Sequence, residues 1–365
     1  MSAKGSAKRI VAAHDYLTQR GGAERVTLEV TRALKPSHIV TSLYSPDNTF
    51  PEFKGIEICA SFLNSVPPFR RDPRLAFPFL AASWSNRRPV DADAVVCSSS
   101  GWAHALPVTP GTRKIVYCHN PARWLYQTDD YFLGRSNSFR HIFELFKPKL
   151  IDWDRRAAAS ADFYIANSTS VAERIRRAYG REPEILFPPV SVDPLGSSEP
   201  IKGLEPPFFL TVGRSRGYKG TKVLAEAFSR TPEHKLVVTG ADTLGNIAPN
   251  VRPVGLVSDA QLRWLYKNAR ALVSVSREDF GLTPIEANAF GTPALLLRAG
   301  GFLDSTLEGV SGLFIDEPTL ECIVHAIASF PDKWDKTAIF RHSNTFSPEK
   351  FAARLRAIVE QVTAS

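Results

Sequence analysis

Cysteine and clustered histidine are scarce in this chain. Its 365 residues include four cysteines that lie far apart, without a C-x-x-C pair, and eight histidines without H-x-H or H-x-x-x-H spacing. These patterns argue against a disulfide framework and a zinc site, so we expect no tightly bound metal. The cysteine usage suits a reducing cytosol, so we expect a cytoplasmic protein.

Several sequence signals that define other protein classes are absent. No run of about 18 apolar residues is present, which excludes a membrane-spanning helix. The basic start, MSAKGSAKRI, lacks the apolar segment of a secretory signal. Neither G-x-G-x-x-G nor G-x-x-x-x-G-K-[ST] follows a predicted strand, which excludes the usual dinucleotide and P-loop sites.

Positive charge is in excess and unevenly spread. The net charge is +8, and residues 61–90 hold five arginines (Arg70, Arg71, Arg74, Arg87, Arg88) against Asp72 alone. A second basic and aromatic stretch, 135–156, contains Phe139, Phe143, Phe146 and Trp153. Arginines interleaved with rings suit an anionic membrane surface or an anionic ligand, and a solvated face beside an ordinary core is the alternative. Such charge also permits nucleic-acid binding, but no recognised motif accompanies it, so we expect none.

Short β-branched runs alternate with helical patterns along the chain. Strands are predicted at 9–16, 38–44, 94–99, 114–119, 208–213, 235–240, 271–276 and 293–297, and a further strand at the start of YIANSTS (164–170). Helices are predicted at 23–34, 151–163, 170–180 and 347–362. This alternation predicts an α/β protein with two doubly wound domains, each a parallel sheet between helices. Residues 188–207 are rich in Pro, Gly and Ser and predict a linker. We expect domains at 1–195 and 196–346, a terminal helix at 347–365, and a ligand cleft between the sheets.

The stretch SREDFGLTPIEANAFGTP, residues 276–293, places Glu278 and Glu286 around a short apolar loop. A helix is predicted to start near Thr283-Pro284, where Thr283 and Glu286 fit a Thr-x-x-Glu capping box. Glu286 is therefore either a cap or a ligand-binding group at an anion-binding helix start. Glu278 has no capping role, and an unpaired carboxylate there is either solvated or faces a polar ligand.

Three further segments follow predicted strands. In VGRSRGYKG, Arg214 and Lys219 are either a solvated basic turn or the cations that bind a polyanion. In HDYLTQRGGAER, Gly21 and Gly22 either form a tight turn or let backbone amides approach a phosphate or sugar. In YCHNPARWLYQ, His119 is either a buried structural histidine or a residue of the site.

Together these segments carry a family resemblance. The Glu278–Glu286 pattern, with Phe280-Gly281 inside it, resembles the retaining glycosyltransferases of family four, which have the GT-B fold. The similarity continues through HDYLTQRGGAERV, YCHNPARWLY, IANSTSVAERIRRAYG, ILFPPVSVD, VGRSRGYKG, VGLVSDAQLRWLYKNARALVSVS and EGVSGLF. It is greatest to bacterial mannosyltransferases of O-antigen or other cell-surface polysaccharide assembly. The GT-B fold also allows the C-terminal helix to cross back to the N-terminal domain.

The resemblance implies a role for each matching residue. Glu286 would accept hydrogen bonds from the ribose hydroxyls of a nucleotide sugar, and Glu278 would face the transferred sugar. Phe280 and Gly281 would shape the loop around the sugar, and Leu256 and Val257 would lie against the base. The diphosphate would be held by the amides of Leu282 and Thr283 and neutralised by Arg214 and Lys219. Gly21 and Gly22 would lie near the diphosphate and sugar. His119 would contact the sugar near the reacting carbon, so His119, Glu278, Arg214 and Lys219 are the predicted catalytic residues.

The predicted partners are a nucleotide sugar, with GDP-mannose favoured, and a glycan or lipid-linked acceptor at an anionic membrane. No cofactor or metal is implied. Asp279 and Asp304 depart from the family pattern, since Asp304 stands where a glutamate is common, and both bear on donor identity. The alternatives are a transferase that uses a UDP- or dTDP-sugar, a nucleotide-sugar 2-epimerase, and a non-catalytic nucleotide-sugar binding protein.

Overall fold

The computed structural model describes residues 8–128, 137–190, 192–213, 220–240, 245 and 247–364. The chain divides into two compact units, an N-terminal unit of Met1–Phe187 with Glu349–Ser365 and a C-terminal unit of Pro188–Pro348. The predicted boundary after residue 195 falls in the stretch 188–207, whose described residues form neither helix nor strand.

The N-terminal unit is built on a parallel sheet. Its strands, in chain order, are β1 (Ile10–His14), β2 (Ile39–Thr41), β3 (Ile58–Ala60), β4 (Ala94–Ser99), β5 (Arg113–Cys118), β6 (Phe163–Ala166) and β7 (Glu184–Ile185). Their order across the sheet is β3-β2-β1-β4-β5-β6-β7. Its helices are α1 (Gly22–Leu34), α2 (Pro67–Arg71), α3 (Phe77–Ser85), α4 (Arg123–Tyr126), α5 (Asn137–Ala159) and α6 (Thr169–Tyr179), with 3-10 turns at Pro51–Gly55, Phe62–Ser65, Pro73–Ala76 and Ala103–Ala105.

The C-terminal unit repeats this plan. Its strands are β8 (Phe208–Val212), β9 (Leu236–Thr239), β10 (Val251–Pro253), β11 (Ala269–Ser274), β12 (Ala294–Leu297) and β13 (Gly312–Ile315), in the order β10-β9-β8-β11-β12-β13. Its helices are α7 (Thr221–Ser229), α8 (Asp259–Asn268), α9 (Leu282–Asn288), α10 (Phe302–Ser305), α11 (Leu320–Ala328) and α12 (Lys336–Ser343), followed by a 3-10 turn at Asn344–Phe346.

The last helix, α13 (Pro348–Ala364), packs within the N-terminal unit. Phe351, Leu355 and Ile358 lie in one buried cluster with Val26 and Val30 of α1. The opposite face of the same sheet is covered by a second cluster, which includes Trp84, Trp102 and Trp124. Helices on both faces explain why the central strands β1, β4 and β5 are buried along nearly their whole length and rich in apolar residues.

The predicted fold class, α/β with two Rossmann-like doubly wound units, is confirmed. The longer predicted strands and the helix at 23–34 are also confirmed. The predicted helix at 151–163 is wrong at its end, because α5 stops at Ala159 and β6 starts at Phe163. In both sheets the strand order reverses, between β1 and β4 and between β8 and β11. Ligands of such sheets bind beyond the carboxyl ends of the strands at this switch point.

Candidate functional site

The segment after β11 lies at the switch point of the C-terminal sheet. Here α9 begins at Leu282, and Gly281 precedes it as the capping residue with φ 86° and no side-chain cap. The predicted capping box is therefore wrong, because Thr283 already lies inside the helix. Glu286 lies one turn further on and does not serve as a cap. Its other predicted role, in ligand binding, stays a prediction.

Glu286 is held from a neighbouring helix. The hydroxyl of Tyr266, on α8, donates a hydrogen bond of 2.8 Å to Glu286 Oε2, and the glutamate is only 7% exposed. A buried carboxylate requires such partners, and its two oxygens retain further acceptor sites. Sequence reasoning missed Tyr266, although the stretch that contains it was part of the resemblance.

Glu278 is oriented by the end of its own strand. Ser276 Oγ donates to Glu278 Oε1 at 3.0 Å, and Ser274 Oγ lies 2.8 Å from Ser276 Oγ. The expectation of an unpaired carboxylate is therefore wrong. The two serines anchor one oxygen of Glu278 to β11, so its position follows from the strand rather than from solvent.

A glycine pair shapes the loop that carries Glu278. Gly301 N donates to Glu278 O at 2.9 Å, and a Cβ on Gly301 would lie 2.2 Å from Phe280 Cα and 2.3 Å from Asp279 O. A Cβ on Gly281 would lie 2.5 Å from the Phe302 ring. The loop and the start of α10 therefore touch without room for a methyl group. Phe280 itself is buried, with its ring centroid 5.8 Å from that of Phe346.

Leu256 and Val257, the residues predicted to contact the base, lie between β10 and α8. Leu256 is 92% exposed, whereas Val257 packs against the cluster that contains Tyr266. Asp304 is half-buried in α10. Arg214 and Lys219 lie outside the described residues. The next described residue is Gly220, which has φ 65°, and a Cβ there would lie 2.4 Å from Val275 Cγ2. Gly220, just before α7, therefore lies against Val275, just after β11.

His119 follows β5 at the corresponding edge of the N-terminal sheet. It is 8% exposed, and its Nε2 lies 2.7 Å from Ser98 Oγ. Burial, together with the neighbouring His14, lowers the pKa of His119 to about 3, so the ring is neutral at physiological pH. Gly21 precedes α1 and is buried, and Gly22 is its exposed first residue.

Asp15, beside His14, organises the loop after β4. Its carboxylate accepts hydrogen bonds from the backbone amides of Ser100 at 2.7 Å, Trp102 at 3.2 Å and Ala103 at 2.7 Å. Gly101 completes the turn with φ 128°, and a Cβ there would lie 2.7 Å from Ala122 Cβ. Sequence reasoning missed both His14 and Asp15. The only available signal was their position at the end of the first predicted strand.

The basic stretch 61–90 is only partly a surface. Arg87 turns inward, bonding the backbone oxygens of Ser83, Cys59 and Thr41, and burial lowers its pKa. Apolar side chains in the same stretch are exposed instead: Phe62 at 67%, Val66 at 38%, Leu75 at 54% and Phe79 at 49%. In the second stretch, Phe143 is buried, Phe146 is exposed, Trp153 is partly buried, and the side chain of Phe139 lies outside the described residues.

The two units match two family models. Residues 20–193 match the model described as Glycosyltransferase Family 4, and residues 197–344 match the model described as Glycosyl transferases group 1. None of the described helices is both long and apolar enough to cross a bilayer. In the same residues, no three His, Cys, Asp or Glu side chains are grouped as a metal site would require.

Individual proteins show the same similarity. The chain is 29% identical over 181 residues to D-inositol 3-phosphate glycosyltransferase of Corynebacterium glutamicum, covering 42% of this chain and 43% of that protein. It is 22% identical over 309 residues to Alpha-1,3/1,6-mannosyltransferase ALG2 of Dictyostelium discoideum, covering 69% and 71%. The matches to the inositol-phosphate enzymes span about half of their length.

Solved structures share the fold. Sucrose-phosphate synthase of Thermosynechococcus elongatus superposes with a TM-score of 0.67 at 17% identity, covering 98% of this chain and all of that one. HepE of Anabaena, in complex with UDP-glucose, superposes with a TM-score of 0.64 at 14% identity, covering 96% and 99%. At these identities the comparison establishes the architecture and not the substrate.

Proposed function

Because the chain carries a family 4 glycosyltransferase domain followed by a group 1 glycosyl transferase domain, we propose that it is a retaining glycosyltransferase. It moves a hexose, with mannose favoured, from a nucleotide-diphosphate sugar to a glycan or lipid-linked acceptor in cell-envelope polysaccharide or glycolipid synthesis. One observation supports this most: Glu278 and Glu286 lie on either side of the start of α9, at the switch point of the C-terminal sheet. The Ser276 hydroxyl donates to Glu278, and the Tyr266 hydroxyl donates to Glu286.

This arrangement supports the proposed donor roles. Glu286, with one oxygen engaged by Tyr266, has acceptor capacity for the ribose hydroxyls. Glu278 binds the transferred sugar, within the loop that Gly301 shapes. The amides of Leu282 and Thr283, where α9 begins, receive the diphosphate, together with Arg214 and Lys219. The exposed Leu256 side chain offers an apolar contact to the base, and Val257 supports it from the core.

The chemistry needs charge stabilisation more than a covalent nucleophile. Transfer breaks the bond between the sugar's anomeric carbon and the diphosphate, so negative charge develops on the leaving group. Preorganised cations and amides at that group commonly contribute several kcal/mol. The acceptor hydroxyl attacks the anomeric carbon from the side of the leaving group, and its proton passes to the departing phosphate. Because the new bond forms on the same face as the broken one, the anomeric configuration is retained. Gly22 and His119 of the N-terminal unit are assigned to the donor's diphosphate and sugar, Gly22 beside both and His119 near the reacting carbon.

We propose that Arg214 and Lys219 make a metal ion unnecessary. Activity should then survive EDTA. Full loss of activity in EDTA, with recovery on adding magnesium, would contradict this part of the proposal.

GDP-mannose is the favoured donor, which agrees with the mannosyltransferase named among the relatives. UDP-sugars are the alternative, supported by the UDP-glucose named for HepE. Asp279 lies beside the proposed sugar-binding residue, so its charge bears on which sugar is accepted.

For the acceptor, we propose a lipid-linked sugar reached by peripheral contact with an anionic membrane, at the inner face of the plasma membrane. The supporting surface comprises Phe62, Val66, Leu75 and Phe79, exposed beside Arg70, Arg71 and Arg74. No ion pair within the described part of the chain involves these three arginines. Apolar side chains that insert among cations attracted to anionic headgroups are the pattern of an interfacial protein.

Vesicle sedimentation tests the membrane contact. The protein should bind phosphatidylglycerol-containing vesicles more than neutral ones, and the Arg70→Gln, Arg71→Gln, Arg74→Gln triple variant should lose that preference. Arg177→Gln, at an exposed arginine of α6 that pairs only with Glu173 among the described residues, is the matched control. Equal binding by the triple variant and the control would refute the membrane contact.

A transfer assay tests the activity itself. GDP-mannose, UDP-glucose and a dTDP-sugar are each incubated with membrane lipid extract, and release of nucleoside diphosphate and glycosylated lipid is followed by mass spectrometry. Glu278→Gln should abolish transfer, whereas Glu321→Gln, at an exposed carboxylate of α11, should not. Conversion of the donor to an isomer without any acceptor would identify an epimerase instead.

A further inference from the structure

A chain of hydrogen bonds crosses the N-terminal unit beneath His119. It runs from His119 Nε2 to Ser98 Oγ at 2.7 Å, from Ser98 Oγ to Thr27 Oγ1 at 2.8 Å, and from Thr27 Oγ1 to the carbonyl of Ala23 at 2.9 Å. All three side chains are more than nine-tenths buried. The chain links β5, β4 and α1 at the edge where the strand order reverses.

The carbonyl oxygen of Ala23, at the end of this series, determines which group donates in each of the three hydrogen bonds. The carbonyl of Ala23 can only accept, so the Thr27 hydroxyl hydrogen points to it. Thr27 Oγ1 must then accept from Ser98, and the Ser98 hydroxyl hydrogen is used in that bond. Ser98 Oγ therefore accepts from His119, whose Nε2 carries the proton. Reversing any one bond would leave one of the three short contacts without a hydrogen.

His14 is consistent with this direction. Its Nδ1 lies 3.0 Å from the carbonyl oxygen of Ser98, 3.1 Å from Ser98 Oγ and 3.0 Å from Thr27 Oγ1. Because a carbonyl accepts only, Nδ1 of His14 is the protonated nitrogen. A cation on His119 would stand beside this ring, with centroids 6.3 Å apart. Burial, with a smaller contribution from this neighbour, lowers the pKa of His119 to about 3, and the ring remains neutral.

From this geometry we infer that Ser98 and Thr27 are positioning residues that fix His119 as the Nε2-protonated tautomer, whose Nδ1 accepts a hydrogen bond from a hydroxyl of the transferred sugar. A neutral ring with one protonated nitrogen has one acceptor atom, and the hydrogen-bond chain decides which. The inference rests on the proposed function for the identity of the sugar, but the tautomer does not depend on it.

The tautomer can be read directly by long-range proton–nitrogen NMR on protein labelled with nitrogen-15 histidine. The His119 signals are identified by their loss in His119→Gln. We expect a pyrrole-type Nε2 and a pyridine-type Nδ1, unchanged between pH 5 and 8. A pyridine-type Nε2, or protonation of both nitrogens in that range, would overturn the inference whether or not the protein transfers sugar.

Matched variants test the two positioning residues. Thr27→Ser keeps the hydroxyl and should keep the tautomer, whereas Thr27→Val and Ser98→Ala should give a mixture of tautomers. If Thr27→Val, folded by circular dichroism, retains the single Nε2-protonated tautomer, the positioning role is wrong.

Deoxy donors test the sugar contact. Removing one sugar hydroxyl at a time from the accepted donor should reveal one position whose loss lowers kcat/KM about five- to tenfold in the wild-type protein, the effect of one hydrogen bond. The same deoxy donor should show no such penalty in His119→Ala. A penalty of equal size in both proteins would overturn the assigned contact, whereas absence of transfer with any donor would count against the proposed function and leave the tautomer result standing.

Discussion

Replacing Gly301 by alanine should move the loop that carries Glu278. The added Cβ would lie 2.2 Å from Phe280 Cα and 2.3 Å from Asp279 O, with only backbone on the opposing side. Ordinary carbon contacts begin near 3.4 Å, so the loop must retreat by about 1 Å. The same movement would stretch the hydrogen bond from Gly301 N to Glu278 O.

Two magnitudes follow from this displacement. Forcing a methyl group into a closed contact typically lowers the free energy of unfolding by about 1–3 kcal/mol. A displacement of about 1 Å at a reacting group can lower the rate about 100-fold. We therefore expect Gly301→Ala to fold, to unfold at lower urea concentration, and to lose about two orders of magnitude in sugar transfer.

Gly300 and Gly309 provide a matched pair that separates contact from backbone strain. Both have positive φ, 61° and 76°, but a Cβ on Gly300 would lie 2.4 Å from Glu278 O, whereas one on Gly309 meets nothing within 4 Å. Gly300→Ala should impair transfer as Gly301→Ala does, and Gly309→Ala should lose only stability. A wild-type rate of sugar transfer in Gly301→Ala would refute the role assigned to Gly301 in shaping the loop that carries Glu278.

Three further predictions concern buried polar groups. Tyr266→Phe removes the hydrogen bond to the Glu286 carboxylate and should weaken nucleotide binding, measured by calorimetry, about 10-fold. Unchanged affinity would show that Tyr266 does not support Glu286 in nucleotide binding. Asp15→Asn places an amide against backbone donors and should lower the free energy of unfolding in urea by about 2–4 kcal/mol, which an unshifted midpoint would contradict. Unfolded His119 binds a proton below pH 6.5 but folded His119 only below about 3. The free energy of unfolding therefore falls as pH drops through this window, by about 5 kcal/mol more than in His119→Gln; the same pH dependence of urea unfolding in both proteins would refute this.

Local patterns predicted the framework of the molecule well. The strands at 94–99 and 208–213 and the helix at 23–34 follow from β-branched runs and helical periodicity, and these signals are contained in neighbouring residues. The shortest strands, such as β7 and β10, were missed because two or three residues carry no periodicity. The end of α5 was misplaced because the apolar pattern continues into β6.

The polar contacts of the site could not be predicted in this way. Tyr266 and Glu286 are 20 residues apart, and their hydrogen bond depends on how α8 and α9 pack on the sheet. Asp15 and the amides it binds are more than 80 residues apart. Arg87 belongs to the basic stretch that the sequence predicts to be a surface, but its guanidinium donates hydrogen bonds to the backbone oxygens of Cys59 and Thr41. Such pairings arise from tertiary structure and leave no spacing signal.

Calorimetric titration of GDP, UDP and dTDP into the purified protein tests the central claim most directly. We predict that GDP binds most tightly and that Glu286→Ala weakens this binding about 10- to 100-fold, since hydrogen bonds to a charged group are lost. Tighter binding of UDP or dTDP would contradict the mannosyl assignment while retaining a nucleotide-sugar site. If none of the three nucleotides binds, the proposed glycosyltransferase function is wrong.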